Sequence, residues 1–308
     1  MAASDQNKPA GTVAVIGLGS MGFGMAQSLR RKSFDVVGCD VNRAGVARFV
    51  AEGGRGAATP AEAARGANAV VSVVVNAAQT ESILFGPNGV LETMPQGAVL
   101  ISSATMDPSL ARKLAEKVEA TGRHYLDAPI SGGSARAAKG ELTVMASGSA
   151  ASFAKAQAAL DAMAVKVYRL GDKPGIGAAF KMINQLLTGV HIAAACEAMT
   201  LAAKQGLDLA KVYEVITASA GNSWMFENRM PRVLAGDYTP TSTVEIFVKD
   251  LGIVQDIART ERYPAPLAAA ALQMFLAAAG AGMGRDDDSS LARIYAQLSS
   301  TKLPGNPT

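Results

Sequence analysis

An α/β fold is the prediction for this chain: a parallel sheet in the first half, a long helix leading out of it, and helices alone in the second half. Three observations predict it. Short β-rich runs alternate with helical patterns up to residue 173, a glycine turn joins the first run to the first helical pattern, and β-rich runs stop after "KVYRLGDKPG".

The length of 308 residues exceeds the usual span of one compact domain, so two domains of about 150 residues each are expected, here 11–173 and 174–300. Hydrophobic residues make up 49% and aromatic residues 5%, which favours close helix packing over a sandwich of bulky strands. The 29 basic and 26 acidic residues give +3, too even for a nucleic-acid footprint. Cys39 and Cys196 stand far apart and form no metal-binding or disulfide pattern, so no metal is expected and a reducing cytoplasm fits. The opening "MAASDQNKPA" is a polar leader without the apolar run of a signal peptide. Residues 266–284, the longest apolar run, are interrupted by Gln273 and read as a buried helix that is too short for a membrane span.

The elements follow in order. "TVAVIG" is a strand, "GFGMAQSLRRKS" a helix and "DVVGCD" a second strand, which together make one βαβ unit. "AVVSVVV", "AVLISSAT", "HYLDAPIS", "LTVMASG" and "KVYRLGD" are further strands. "PSLARKLAEKVEATG" is a helix between two of them, and "ATPAEAARGAN" a short surface helix.

Gly17, Leu18, Gly19, Ser20, Met21 and Gly22 fit G-x-G-x-x-G. Gly17 makes the tight turn, Gly19 leaves room for a pyrophosphate, and Gly22 brings helix and strand together. Phosphates then meet the N–H groups and dipole of a helix start. The turn follows a strand, opens a helix and is answered by Asp40 at the end of the next strand, which is the context a Rossmann-type dinucleotide site requires. Asp40 favours NAD, because a carboxylate accepts ribose hydroxyls and repels a 2′-phosphate. Arg43 keeps NADP as the alternative, since it stands close enough in sequence to pair with that phosphate. It reads equally as a solvated residue at a helix start. Val75, Asn76 and Thr105 end strands where a parallel sheet lines its ligand crevice, and they join the cofactor candidates.

"GIGAAFKMINQLLTGVHIAAACEAMTLAAKQG" predicts one helix of about 30 residues, about 45 Å long, across the domain boundary. Lys181, Asn184, Gln185, Thr188 and His191 share one stripe on an otherwise apolar surface. Unpaired polar groups in a core cost about 1–3 kcal/mol each, so the stripe needs water, a partner or a ligand. The helix start and partial burial both push the Lys181 amine toward its neutral form, a poise suited to proton transfer. A lysine snorkelling to the surface remains the competing explanation. In "DAPISGG", Ser131, Gly132 and Gly133 form a turn whose N–H groups can converge on a carboxylate; packing alone would also explain such a turn.

Taken in order, "VAVIGLGSMGFGMA", "DAPISGG", "GIGAAFKMINQ" and "FVKDLGIV" resemble the β-hydroxyacid dehydrogenase family from residue 11 to about 298. The resemblance implies a Rossmann domain over 11–173, an interdomain helix, an all-α substrate and oligomerisation domain over 174–300, and a homodimer or homotetramer built through the helices. It implies oxidation of a small hydroxy-acid substrate with Lys181 as acid/base and Asn184 holding lysine and substrate. Ser131, Gly132 and Gly133 would grip the carboxylate; Lys249 would reach the cofactor with support from Asp250. Gln185 departs from the family's usual second asparagine. Stretches such as "SAGNSWMFENRMP" resemble a branch acting on four-carbon sugar acids, where Gln185, His191, Asn222, Ser223 and Trp224 would surround extra hydroxyls. His191 reads equally as a helix-interface residue and Trp224 as a core anchor. Asp286, Asp287 and Asp288 read as a solvent-facing helix cap, and Met21, Met25, Met182, Met225 and Met230 as packing.

Overall fold

A computed structural model describes residues 10–305 of the chain; the polar leader lies outside the described residues, apart from Ala10. The chain divides into two compact units that part between Lys181 and Met182.

Among the described residues the first unit holds nine strands: β1 (Thr12–Ile16), β2 (Asp35–Cys39), β3 (Arg55–Gly56), β4 (Ala69–Ser72), β5 (Val99–Ser102), β6 (His124–Asp127), β7 (Ile130–Ser131), β8 (Leu142–Ser147) and β9 (Ala164–Gly171). They form one sheet in the order β3-β2-β1-β4-β5-β6-β8-β7, with β9 beside β8. Pairing is parallel from β3 to β6, antiparallel at β6–β8 and β7–β8, and parallel again at β8–β9. The strands read as continuous apolar runs because both faces are covered. Val13, Val15, Val71 and Ile101 face a core completed by Leu29, Phe49 and Phe153. Their alternates Ala14, Ile16, Val70 and Leu100 face a second core with Leu84, Leu114 and Val118.

Helices α1 (Gly22–Arg31), α2 (Arg43–Ala51), α3 (Pro60–Ala64), α4 (Ala77–Phe85), α5 (Pro108–Glu119), α6 (Gly133–Lys139) and α7 (Ala150–Met163) cover those faces. α3 is less of a surface helix than expected, because Ala61, Ala63 and Ala64 are buried. "HYLDAPIS" is not one strand but two, since Pro129 between β6 and β7 has no N–H for the ladder. The strand in "AVVSVVV" ends at Ser72, and Val73 to Val75 leave the sheet.

α8 (Ile176–Lys204) runs for 29 residues, as its periodicity predicts, and passes from the first unit into the second. The second unit adds α9 (Leu209–Thr217), α10 (Trp224–Ala235), α11 (Val244–Thr260), α12 (Pro266–Ala278) and α13 (Leu291–Ser299). Its core joins Ile192, Cys196 and Met199 of α8 to Phe226, Leu251, Phe275 and Leu291. Gly189 admits α11, for a Cβ there would lie 2.9 Å from the Leu251 side chain. The methionines do pack: Met25, Met182, Met225 and Met230 are all buried.

Three further expectations are corrected. Asp287 and Asp288 do not face solvent; both are fully buried. Asp287 caps Ser289 N as expected, but it also accepts from the Thr241 N–H and hydroxyl, while Arg229 holds both oxygens of Asp288 at 2.5 and 2.9 Å. α12 is not buried all round: Ala268, Ala271, Phe275 and Ala278 pack, while Leu267 and Leu276 remain exposed, because only one side of the helix has neighbours. The segment Pro266–Met283, like α8, is also long and apolar enough to cross a bilayer, with a mean hydropathy of 1.5 over its 18 residues.

Candidate active site

The glycine turn after β1 folds on itself. Gly17 has φ +99, and a Cβ there would lie 2.6 Å from Val73 O; a Cβ on Gly22 would lie 1.9 Å from Gly17 O. At Gly19 a Cβ would meet nothing within 4 Å. Two glycines are therefore required by the chain's own packing, while the third keeps open the space in which a pyrophosphate fits. No side chain among the described residues caps the start of α1 at Met21, so its first N–H groups suit phosphate oxygens. Asp40 is pinned beside this turn: its Oδ2 accepts from Leu18 N at 2.6 Å and its Oδ1 from Asn42 N at 2.7 Å. Gly19 and Ser20 are exposed in front of it. These residues fit a dinucleotide. Val75 is exposed, and its N–H donates to Gln79 Oε1. Asn76 caps α4 by accepting from Gln79 N at 2.8 Å. Thr105 is half-buried in the loop between β5 and α5.

β7 delivers the second constellation. Ser131 ends it, and Gly132 (φ +136) and Gly133 (φ +76) turn the chain into α6. Only glycine takes these conformations without strain. Ile130, directly before the turn, accepts at its carbonyl from Lys181 Nζ at 2.8 Å. Lys181 is only 7% exposed, so the amine is held inside the first unit against the residue that precedes the 131–133 turn.

In the second unit the stripe continues as a network. Asn184 Nδ2 donates to Gln185 Oε1 at 2.9 Å and to Thr188 Oγ1 at 3.3 Å, and Gln185 Nε2 donates to Asp250 Oδ2 at 2.5 Å. Lys249 Nζ is paired with the other oxygen of Asp250. Gln185 is therefore buried, with its amide bonded to Asn184 and Asp250. His191 is half-buried on the same helix. Trp224 is half exposed at the start of α10, beside Ser223, which caps that helix through Phe226 N, and Asn222, which donates to Thr217 O.

Comparison with known proteins adds the lineage. Residues 12–171 match the family described as the NAD binding domain of 6-phosphogluconate dehydrogenase, and 175–295 the one described as NAD-binding of NADP-dependent 3-hydroxyisobutyrate dehydrogenase. An L-threonate dehydrogenase of Cupriavidus necator is 52% identical over 95% of this chain and 98% of its own. The chain belongs to the β-hydroxyacid dehydrogenase family. As a β-hydroxyacid dehydrogenase it is an oxidoreductase that uses NAD(P). An L-threonate dehydrogenase of Escherichia coli strain K12 is 46% identical over 95% of this chain and 96% of its own. A crystal structure of 3-hydroxyisobutyrate dehydrogenase from Salmonella typhimurium is 50% identical, covers 92% of this chain and 99% of its own, and superimposes with a TM-score of 0.88.

Sequence reasoning missed two residues of this dehydrogenase that hold the start of α8. Asp127 Oδ2 accepts from Gly175 N at 2.8 Å and Ala178 N at 2.9 Å, and Ser147 Oγ accepts from Gly177 N at 2.9 Å. A helix is usually capped by its own flanking residue. These caps come from β6 and β8, about 30–50 positions away, so no local pattern announces them.

Proposed function

We propose that this dehydrogenase oxidises L-threonate to its 2-oxo acid with NAD, using Lys181 as general acid/base. The observation that carries the mechanism is the buried Lys181 amine, held 2.8 Å from the carbonyl of Ile130 and adjoining the 131–133 turn. When bound, NAD supplies a hydride acceptor at nicotinamide C4. The chain's own residues do the rest. The N–H groups of the 131–133 turn and the Ser131 hydroxyl hold the substrate carboxylate, and neutral Lys181 takes the hydroxyl proton as the C–H bond gives up its electron pair. In the reverse direction its ammonium returns that proton. Asn184, one turn further along α8, orients the substrate hydroxyl, and the network through Gln185 and Asp250 keeps its amide and Lys249 in place.

NAD is preferred to NADP on two supports. The Asp40 carboxylate would repel a 2′-phosphate. The Arg43 guanidinium, its one counterweight, donates to Ala58 O at 3.0 Å. L-Threonate is supported by the 46–52% identity with the dehydrogenases named for it. The Salmonella protein's name keeps 3-hydroxyisobutyrate as the second reading. Exposed Ile183, Leu187 and Leu201 on α8 support a homodimer or homotetramer, and two buried free thiols suit a reducing cytoplasm.

The test is NADH formation with L-threonate, D-erythronate, D-glycerate and 3-hydroxyisobutyrate, with NAD and NADP, together with tartronate semialdehyde reduction. L-Threonate with NAD should give the highest kcat/KM; a preference for another acid removes the substrate assignment. Lys181→Ala should bind NADH normally and lose about three orders of magnitude in kcat or more. A variant turning over at near the parent rate refutes the acid/base role.

A further inference from the structure

The N–H groups of a helix's first turn need acceptors from outside the helix. At α8 the flanking residues are Pro174 and Gly175, neither with a side-chain acceptor to offer. The acceptors come instead from the sheet. Asp127 Oδ2 gathers Gly175 N, Ala178 N and, at 3.2 Å, the Ser147 hydroxyl, which itself accepts from Gly177 N. Gly177 has no room for a side chain, because a Cβ would lie 2.3 Å from Met145 O. The helix start is pressed onto the carboxyl ends of β6 and β8.

A second tether lies three residues on. Lys181 Nζ is bonded to Ile130 O, three residues after Asp127, just as Lys181 stands three residues after Ala178. Two short spans, 127–130 from the end of β6 to the start of β7 and 178–181 in the helix, are thus joined at both ends into a closed ring. Ser131 and the glycine turn extend from one corner of that ring, and the amine occupies the same corner. We propose that Asp127, seconded by Ser147, is the positioning residue that sets where the Lys181 amine stands against the 131–133 turn; this rests on reading Lys181 as the acid/base. Burial raises the Asp127 carboxyl to about 6 despite the Ala178, Gly175 and Ser147 donors, so its charge is disfavoured where it sits.

The experiment measures kcat, KM for NAD and the Kd of NADH by fluorescence for Asp127→Ala, Ser147→Ala and Asp127→Asn, with Lys181→Ala in parallel. An amine displaced by about 1 Å loses about 100-fold in rate. Asp127→Ala is expected to lose about 100-fold in kcat and Ser147→Ala about 10-fold, with KM for NAD and Kd within two-fold of the parent. Asp127→Asn keeps an acceptor oxygen and should recover at least ten-fold of the alanine loss. The proposal is overturned by Asp127→Ala turning over within two-fold of the parent, by kcat and NADH affinity falling together, or by Asn performing no better than Ala. An active Lys181→Ala sinks the acid/base reading itself, whereas an inactive Lys181→Ala beside a full-speed Asp127→Ala sinks only the positioning role.

Discussion

Gly19 and Gly22 stand three positions apart, and alanine should act on them in opposite ways. At Gly22 the new methyl would collide with backbone 1.9 Å away, so Gly22→Ala should lose about 3 kcal/mol or more and drop Tm by roughly 10 °C. At Gly19 it enters open space, so Gly19→Ala should keep its Tm and raise KM for NAD about ten-fold or more. Melting curves and initial rates on both variants separate a folding glycine from a binding one. Asp127 makes a prediction about pH. Burial lifts its carboxyl from 3.8 to about 6, so between those values the folded chain keeps a proton that the unfolded chain has released. Its contribution to stability is whole below pH 3.8 and is lost as pH rises through 6. The loss is about 3 kcal/mol at ~1.4 kcal/mol per pKa unit. Asp127→Asn does not titrate, so its Tm relative to the parent should climb between pH 4.5 and pH 8. A flat difference across that range would show that the carboxyl is not perturbed in the fold.

Single elements differ in how much of them the sequence discloses. α8 was legible almost to its ends, because a glycine pair, a long apolar period and a polar stripe all point to one helix. The two-residue strand β3 was not, since two residues carry no period. The aspartates after α12 misled for a related reason. Adjacent acids resemble a solvated cap, yet their partners Arg229 and Arg232 sit on α10, more than 50 positions earlier. Arg229 ties α10 to the turn Asp288–Ser290, with Asp288 fully buried. Removing one member of a buried ion pair strands the other, so Arg229→Ala should destabilise by about 3–5 kcal/mol. Adding Asp288→Ala should restore part of that loss, because the uncompensated charge goes with it. Chemical denaturation of the two variants supplies both numbers.

Over the whole molecule, a mainly parallel sheet and the helical second unit followed from the alternation of short runs and from where it stops; the order of the strands and the antiparallel pairs of β8 did not. The candidate site was legible as far as motifs reach: the glycine turn, Asp40, the 131–133 turn and Lys181 all have local signatures. The bonds from Gln185 to Asp250 and from Asp127 to the start of α8 join residues far apart in the chain, and only folding brings them together. Assembly is the property of the whole that can be tested most directly. Ile183 and Leu187 are among the exposed apolar side chains of α8, so Ile183→Asp with Leu187→Glu should convert the proposed oligomer to a monomer in light scattering. An unchanged mass would remove α8 from the proposed assembly. The ring that joins 127–130 to 178–181 also limits how this scaffold can be re-engineered. Enzymes commonly acquire new substrates through loops that lengthen or shorten. Here one residue inserted between Asp127 and Ile130 would put either the cap or the amine's acceptor out of step, so variation in length is closed to this stretch, and a designer must alter side chains beyond it instead.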